Sequence, residues 1–166
     1  MRKLALLGVA AAVVLGLAGV VAISTSSQAA EAAAKPRTLT FDVVFSPFEL
    51  VAANNQRDPA SRVALGDEIV FHDQLFAKGR QVGDEVGSCV VAAVDPGIIA
   101  NCSGVIRLPG GTITFQFANV PGPDPKDLAV TGGTGSYRTA GGEGTLVEFG
   151  NGKGRLTLHL VRLAGR

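Results

Sequence analysis

In "VFHDQLF", residues 70–76, Asp73 stands in the same alternation phase as Ile69, Phe71 and Leu75. A carboxylate on the apolar side of a strand is desolvated, so its pKa rises and it can give or take a proton on a bound intermediate. The plainer role for the same side chain is at a strand end, accepting hydrogen bonds or pairing with an arginine. Asp42 in "TFDVVF" opposes the face of Phe41, Val43 and Phe45, which makes it a polar-face residue with a weaker claim to chemistry. His72 and His159 are the only histidines and lie far apart, with no cysteine or carboxylate at ligand spacing, so no metal site is expected. No Gly-x-Ser-x-Gly elbow is present to support serine-hydrolase chemistry.

The stretch "VTGGTGSYRTAGGEGTL", residues 130–146, offers a different chemistry, because six glycines in seventeen residues resemble a phosphate loop. A dinucleotide fingerprint needs a third glycine where Arg138 stands, and a P-loop needs a Gly-Lys-Ser/Thr that is missing. The residues that follow, Thr145 to Phe149, are β-formers bounded by Gly144 and Gly150. These glycines are therefore expected to turn the chain, and no cofactor is expected.

The elements that must position such residues are strands. Period-two alternation recurs and no sustained 3.6-residue apolar period is found. Strands are expected at 38–45, 67–76, 86–94, 102–108, 112–120, 128–131, 144–149 and 155–161, separated by Gly, Pro, Asp and Asn clusters. "PGG" at 109–111 marks a hairpin turn, and the piece from Ser46 to Gly66 reads as a long loop near a barrel mouth. In "TITFQF" Ile113, Phe115 and Phe117 share one face, and in "RLTLHLV" Leu156, Leu158 and Leu160 do. Eight short strands with one apolar face make an antiparallel barrel or a sandwich; the barrel removes exposed edges and leaves an interior just wide enough for side chains or one small ligand.

Arg2-Lys3, an uncharged apolar run from Leu4 to Ile23 and the small residues of "STSSQAAEAAA" have the order of an export signal. Residues 1–29 are read as a signal peptide, 30–37 as a linker and 38–166 as one barrel domain. The expected location is extracellular, the alternative being an anchor left uncleaved in the membrane, since about twenty apolar residues suffice to span it. The formal charge of +1, the absence of tryptophan and a single tyrosine give no basic or aromatic surface for nucleic acid. Cys89 and Cys102 are the only cysteines, and Asp95-Pro96-Gly97 between them is a turn signal. In an exported chain they are expected to face each other across adjacent strands as a disulfide.

Three stretches in order, "GDEIVFHDQLFAKGRQVGDEVGSCVVA", "CSGVIRLPGGTITFQ" and "LAVTGGTGSYRTAGGEGTL", resemble the barrel family of plant allene oxide cyclases and dirigent proteins, and especially its small secreted bacterial members. The resemblance implies an eight-stranded antiparallel barrel, commonly trimeric, with an apolar cavity for a small lipophilic molecule and no bound cofactor. Its cyclases close an unstable fatty-acid epoxide, and dirigent proteins orient phenoxy radicals. By the same resemblance, Asp73 stands where cyclases carry Asn, Cys89 where they carry cysteine, and Asp42 is the counterpart of a first-strand Glu. Arg138 matches a dirigent arginine after Gly-Thr-Gly, whereas Gly141 replaces a second one. The expected function is binding of a small lipophilic molecule, with cyclisation or coupling of a reactive intermediate guided by confinement and with Asp73, Asp42 and Arg138 as candidate catalytic residues. The alternative is an extracellular protein that binds a lipid or phenolic without converting it.

Overall fold

The computed structural model describes residues 36–47, 49–53 and 63–162. The expected signal peptide and most of the expected linker lie outside these residues. Nine strands follow one another: β1 Arg37–Val44, β2 Glu49–Val51, β3 Glu68–Ala77, β4 Arg80–Ala93, β5 Ile99–Leu108, β6 Gly111–Asn119, β7 Lys126–Gly133, β8 Ala140–Gly150 and β9 Lys153–Arg162. Each pairs antiparallel with its sequence neighbour from β2 to β9, and β1 pairs with both β9 and β3. β2 lies along Glu68–Val70 of β3 while β1 lies along Gln74–Phe76, so β1 and β2 share one position and the result is a closed barrel of eight.

Short connections set this order. Lys78 and Gly79 both take positive φ, 52° and 73°, which gives the two-residue turn that matches strand twist in a hairpin. Pro109-Gly110 joins β5 to β6, as "PGG" predicts, and the Asp95-Pro96-Gly97 turn joins β4 to β5. In the glycine-rich stretch Gly133 ends β7 and Gly135 to Tyr137 form one 3-10 turn before β8. A Cβ on Gly133 would stand 2.5 Å from the Thr112 carbonyl oxygen and 2.6 Å from that of Tyr137, so these glycines serve close backbone approach. Tyr137 is buried in the same core cluster as Ala140 and Leu160.

Several sequence expectations need correction. β8 begins at Ala140, four residues ahead of the expected start, and β5 at Ile99, three ahead, so that of the six glycines expected to turn the chain Gly132 and Gly133 lie in β7, Gly141, Gly142 and Gly144 in β8, and Gly135 in the turn itself. β4 begins at Arg80, six residues ahead of the expected start, because its first half is polar and lacks the alternation that marks a half-buried strand. The piece from Ser46 to Gly66 holds the short strand β2, too brief to leave a periodic signal, while residues 54–62 are outside the described part. Packing is tightest where Val43, Leu75, Ile106, Ile113, Leu156 and Leu158 meet with almost no exposure. Burial of such side chains contributes roughly 1.5–3 kcal/mol each.

Candidate functional site

Strand pleating builds the interior in rows. Across β3, β4, β5 and β6 the register aligns Asp73, Glu85, Ile106 and Ile113 in one row. The next row is Phe71, Gly87, Gly104 and Phe115, and the one beyond it Ile69, Cys89, Cys102 and Phe117. The middle row explains how an eight-stranded barrel keeps space inside. A Cβ on Gly87 would stand 2.6 Å from Phe71 Cζ, and one on Gly104 2.4 Å from Phe115 Cζ. Both rings therefore lie down over bare backbone on the wall and leave the lumen free.

The space so left is a cavity of about 410 Å³. That is within the range of small-molecule sites, roughly 300–1,000 Å³. Phe45, Phe71, Phe115 and Phe117 give it aromatic walls, Asp73 and Glu85 a polar patch, and Asn119, Pro121, Gly122 and Glu148 its surface end. Cys89 is part of the wall as one half of a disulfide to Cys102, with Cα atoms 4.0 Å apart in directly opposed positions, as the sequence suggests.

Asp73 and Glu85 are both inside, at 5% and 3% exposure. Burial pushes Glu85 up to about 8, with the neighbouring Asp73 charge adding to the rise. Burial also raises Asp73, against which the Ser46 backbone N–H and the nearby His72 work in the opposite direction. That N–H donates to Asp73 Oδ1 at 2.8 Å. Of the pair, Glu85 is thus the group that keeps its proton at neutral pH, an acid directly beside a second carboxyl group whose charge strengthens that hold.

The polar atoms at the surface end are arranged differently. Lys126 is buried, donates from Nζ to the Gly122 carbonyl oxygen and lies 3.7 Å from Glu148 Oε2. Asn119 Oδ1 is buried with no hydrogen-bond partner among the described residues. Among the described residues no cluster of three or more His, Cys, Asp or Glu could hold a metal ion.

Of the catalytic and disulfide candidates singled out in the sequence, Asp73 and Cys89 line this cavity. Asp42 is on the outer surface, its side chain 58% exposed and bonded to Arg155 Nη2 at 3.0 Å. Arg138 is exposed at the end of the 3-10 turn and does not line the cavity. His72 faces outward to Asp84 at 3.2 Å, and His159 outward to Thr38 at 3.2 Å. The sequence reading missed Glu85, Asn119 and Lys126. Glu85 has the parity of Cys89 and Val91, and Asn119 that of Phe115 and Phe117, so extending each alternation by a few residues finds both.

The family model for the allene oxide cyclase barrel like domain matches residues 49–157. Among solved structures, pyocyanin demethylase superposes with a TM-score of 0.65 at 26% identity, covering 75% of this chain and 99% of that one. A nonspecific heme-binding cyclase that catalyses a 4 + 2 cycloaddition in neoabyssomicin biosynthesis gives 0.61 at 14%, covering 79% and 70%. A Diels–Alderase from Streptomyces koyangensis gives 0.59 at 13%, covering 80% and 72%. The last two share the fold alone. The chain has no match among curated protein sequences.

Proposed function

Since this chain belongs to the allene oxide cyclase barrel like family, we propose that it binds a small lipophilic molecule in the barrel and guides the rearrangement of a reactive intermediate there. The observation that carries this reading is an aromatic cavity into which two facing, buried carboxyl groups project. Confinement is the larger contribution: holding a near-attack conformer is worth several kcal/mol, while one positioned acid or base gives about 10² to 10⁴-fold. Glu85 passes its proton to a heteroatom of the ligand, and Asp73 takes one from a neighbouring position. The ligand leaves isomerised with its composition unchanged, and the proton returns from Asp73 to Glu85.

Support comes from the fold neighbours, which include cyclases and a demethylase acting on small molecules. Export and trimeric assembly belong to the same reading, the first from the N-terminal order of basic, apolar and small residues and the second from the family resemblance. Native mass spectrometry of protein collected from its own secretion medium tests the central point. A retained organic mass, converted by wild type and not by Asp73→Asn, is the expected result. A retained ligand that neither protein alters makes the barrel a carrier in place of a catalyst, and failure to hold any aromatic ligand removes the reading.

A further inference from the structure

The cavity carries a chemical bias that its apolar walls do not explain. Its described lining contains three carboxyl groups, Asp73, Glu85 and Glu148, together with the unpartnered Asn119 oxygen, and no Lys, Arg or His. Glu85 is 3% exposed and stands directly across from Asp73. The Ser46 and Lys126 donors nearby are already engaged. The Ser46 N–H goes to Asp73 and its hydroxyl to the His72 carbonyl oxygen. Lys126 is turned to Gly122 and Glu148, so its charge offsets the carboxylate at the surface end and not the inner pair.

From this distribution we infer that the cavity selects lipophilic molecules bearing a protonated amine or other cationic N–H group and rejects lipophilic carboxylates. The inference rests on the ligand-binding reading above. A buried acceptor without a donor is costly, and a ligand N–H relieves that cost at Asn119 while offering opposite charge to the carboxyl groups beside it. A cation entering the barrel loses water but gains carboxyl oxygens as partners in a low-dielectric setting, whereas an anion loses water and meets carboxyl groups with no cation in the described lining to offset its charge. Specificity then comes as much from what the site repels as from what it attracts.

Three probes of one shape test it: 1-naphthylmethylammonium, 1-naphthylmethanol and 1-naphthylacetate, titrated into the full chain at neutral pH. The protein has no tryptophan, so naphthalene fluorescence reports binding without overlap from indole. The ammonium is expected to bind about tenfold or more tighter than the alcohol, and the carboxylate weaker than the alcohol by a similar factor. In Asp73→Asn/Glu85→Gln the three affinities are expected to converge. The wild-type ranking is decisive on its own if that variant does not fold. Carboxylate binding as tight as ammonium binding, or a ranking that survives in the folded double variant, overturns the charge selection while leaving the cavity intact. Failure of all three to bind overturns it together with the ligand-binding reading.

Discussion

Asp73 and Glu85 are direct cross-strand partners on β3 and β4, both more than nine-tenths buried. Two carboxyl groups so placed cannot both ionise without strong mutual repulsion.

The first prediction is a stability that falls as pH rises. Glu85 ionises near its ordinary 4.5 when unfolded and at about 8 when folded. Between those values the folded state holds a proton that the unfolded state has lost, so rising pH favours unfolding, by an amount on the order of a few kcal/mol. Asp73 is raised too and adds to the loss with the same sign. Urea midpoints from pH 5 to 9 are expected to decline in wild type and level off above pH 8, with a much flatter profile in Glu85→Gln. A wild-type midpoint that is constant or rising from pH 5 to 8 refutes the assignment.

Replacing Asp73 separates charge from hydrogen bonding. Asp73→Asn keeps an oxygen for the Ser46 N–H and removes the like charge, so the Glu85 midpoint is expected to fall below its wild-type value while staying above 4.5. Carboxyl-carbon NMR of Glu85 measures this directly. Asp73→Ala also strands the Ser46 N–H and is expected to cost about 1–3 kcal/mol more than the Asn variant.

Gly104→Ala closes the lumen. The new methyl group would stand 2.4 Å from Phe115 Cζ, so the ring must swing off the wall. Loss of naphthyl-probe binding and a destabilisation of roughly 1–3 kcal/mol are expected. Gly97→Ala, with nothing within 4 Å of its Cβ, is the control and should stay within about 0.5 kcal/mol of wild type. Equal behaviour of the two variants speaks against the aromatic-over-glycine account.

The Cys89–Cys102 bond, spanning 13 residues of sequence, is expected to stabilise the domain by about 2–3 kcal/mol. Unfolding with and without a phosphine reductant measures the difference, and alkylation of unreduced protein should find no free thiol. Two alkylatable thiols in oxidatively folded material would rule the bond out.

Asp42→Asn and Arg138→Ala test the outer candidates. The exposed Asp42–Arg155 bridge is worth under about 1 kcal/mol, and neither residue lines the cavity. Both variants should bind the naphthyl probes as wild type does; a loss of affinity in either restores it to the site.

What the sequence disclosed, and what it hid, follows from the parity of strands. Phe71, Asp73 and Leu75 alternate with polar neighbours, so the strand and the inward carboxylate are read together. The same parity separates Asp73 from Asp42, which the structure puts on the outer surface. Glu85 escaped because an inward carboxylate interrupts the very pattern that identifies a strand, and Arg80, Gln81 and Asp84 around it are polar as well. The Lys78-Gly79 turn lacks the Asn-Gly or Asp-Gly signature that would have fixed the register across it. Sites are where local pattern and overall fold conflict most. The tie between Asp73 and Ser46 joins residues 27 apart and has no spacing rule to reveal it.

That tie gives the barrel an uneven wall. β1 meets β9 along its whole length but meets β3 only from Asp42 to Val44, and the chain then leaves the wall before β2 resumes beside Glu68 to Val70. This line is fastened more than it is woven, and amides along it should exchange before those of β4 through β9. Asp73 Oδ1 fastens the gap together with the His72 carbonyl oxygen, which the Ser46 hydroxyl reaches, so one carboxyl group serves both the acid pair inside and the wall. Were Asp73 to take up a proton, as the proposed function has it do, the bond from the Ser46 N–H would weaken and the wall would be less firmly held at that point.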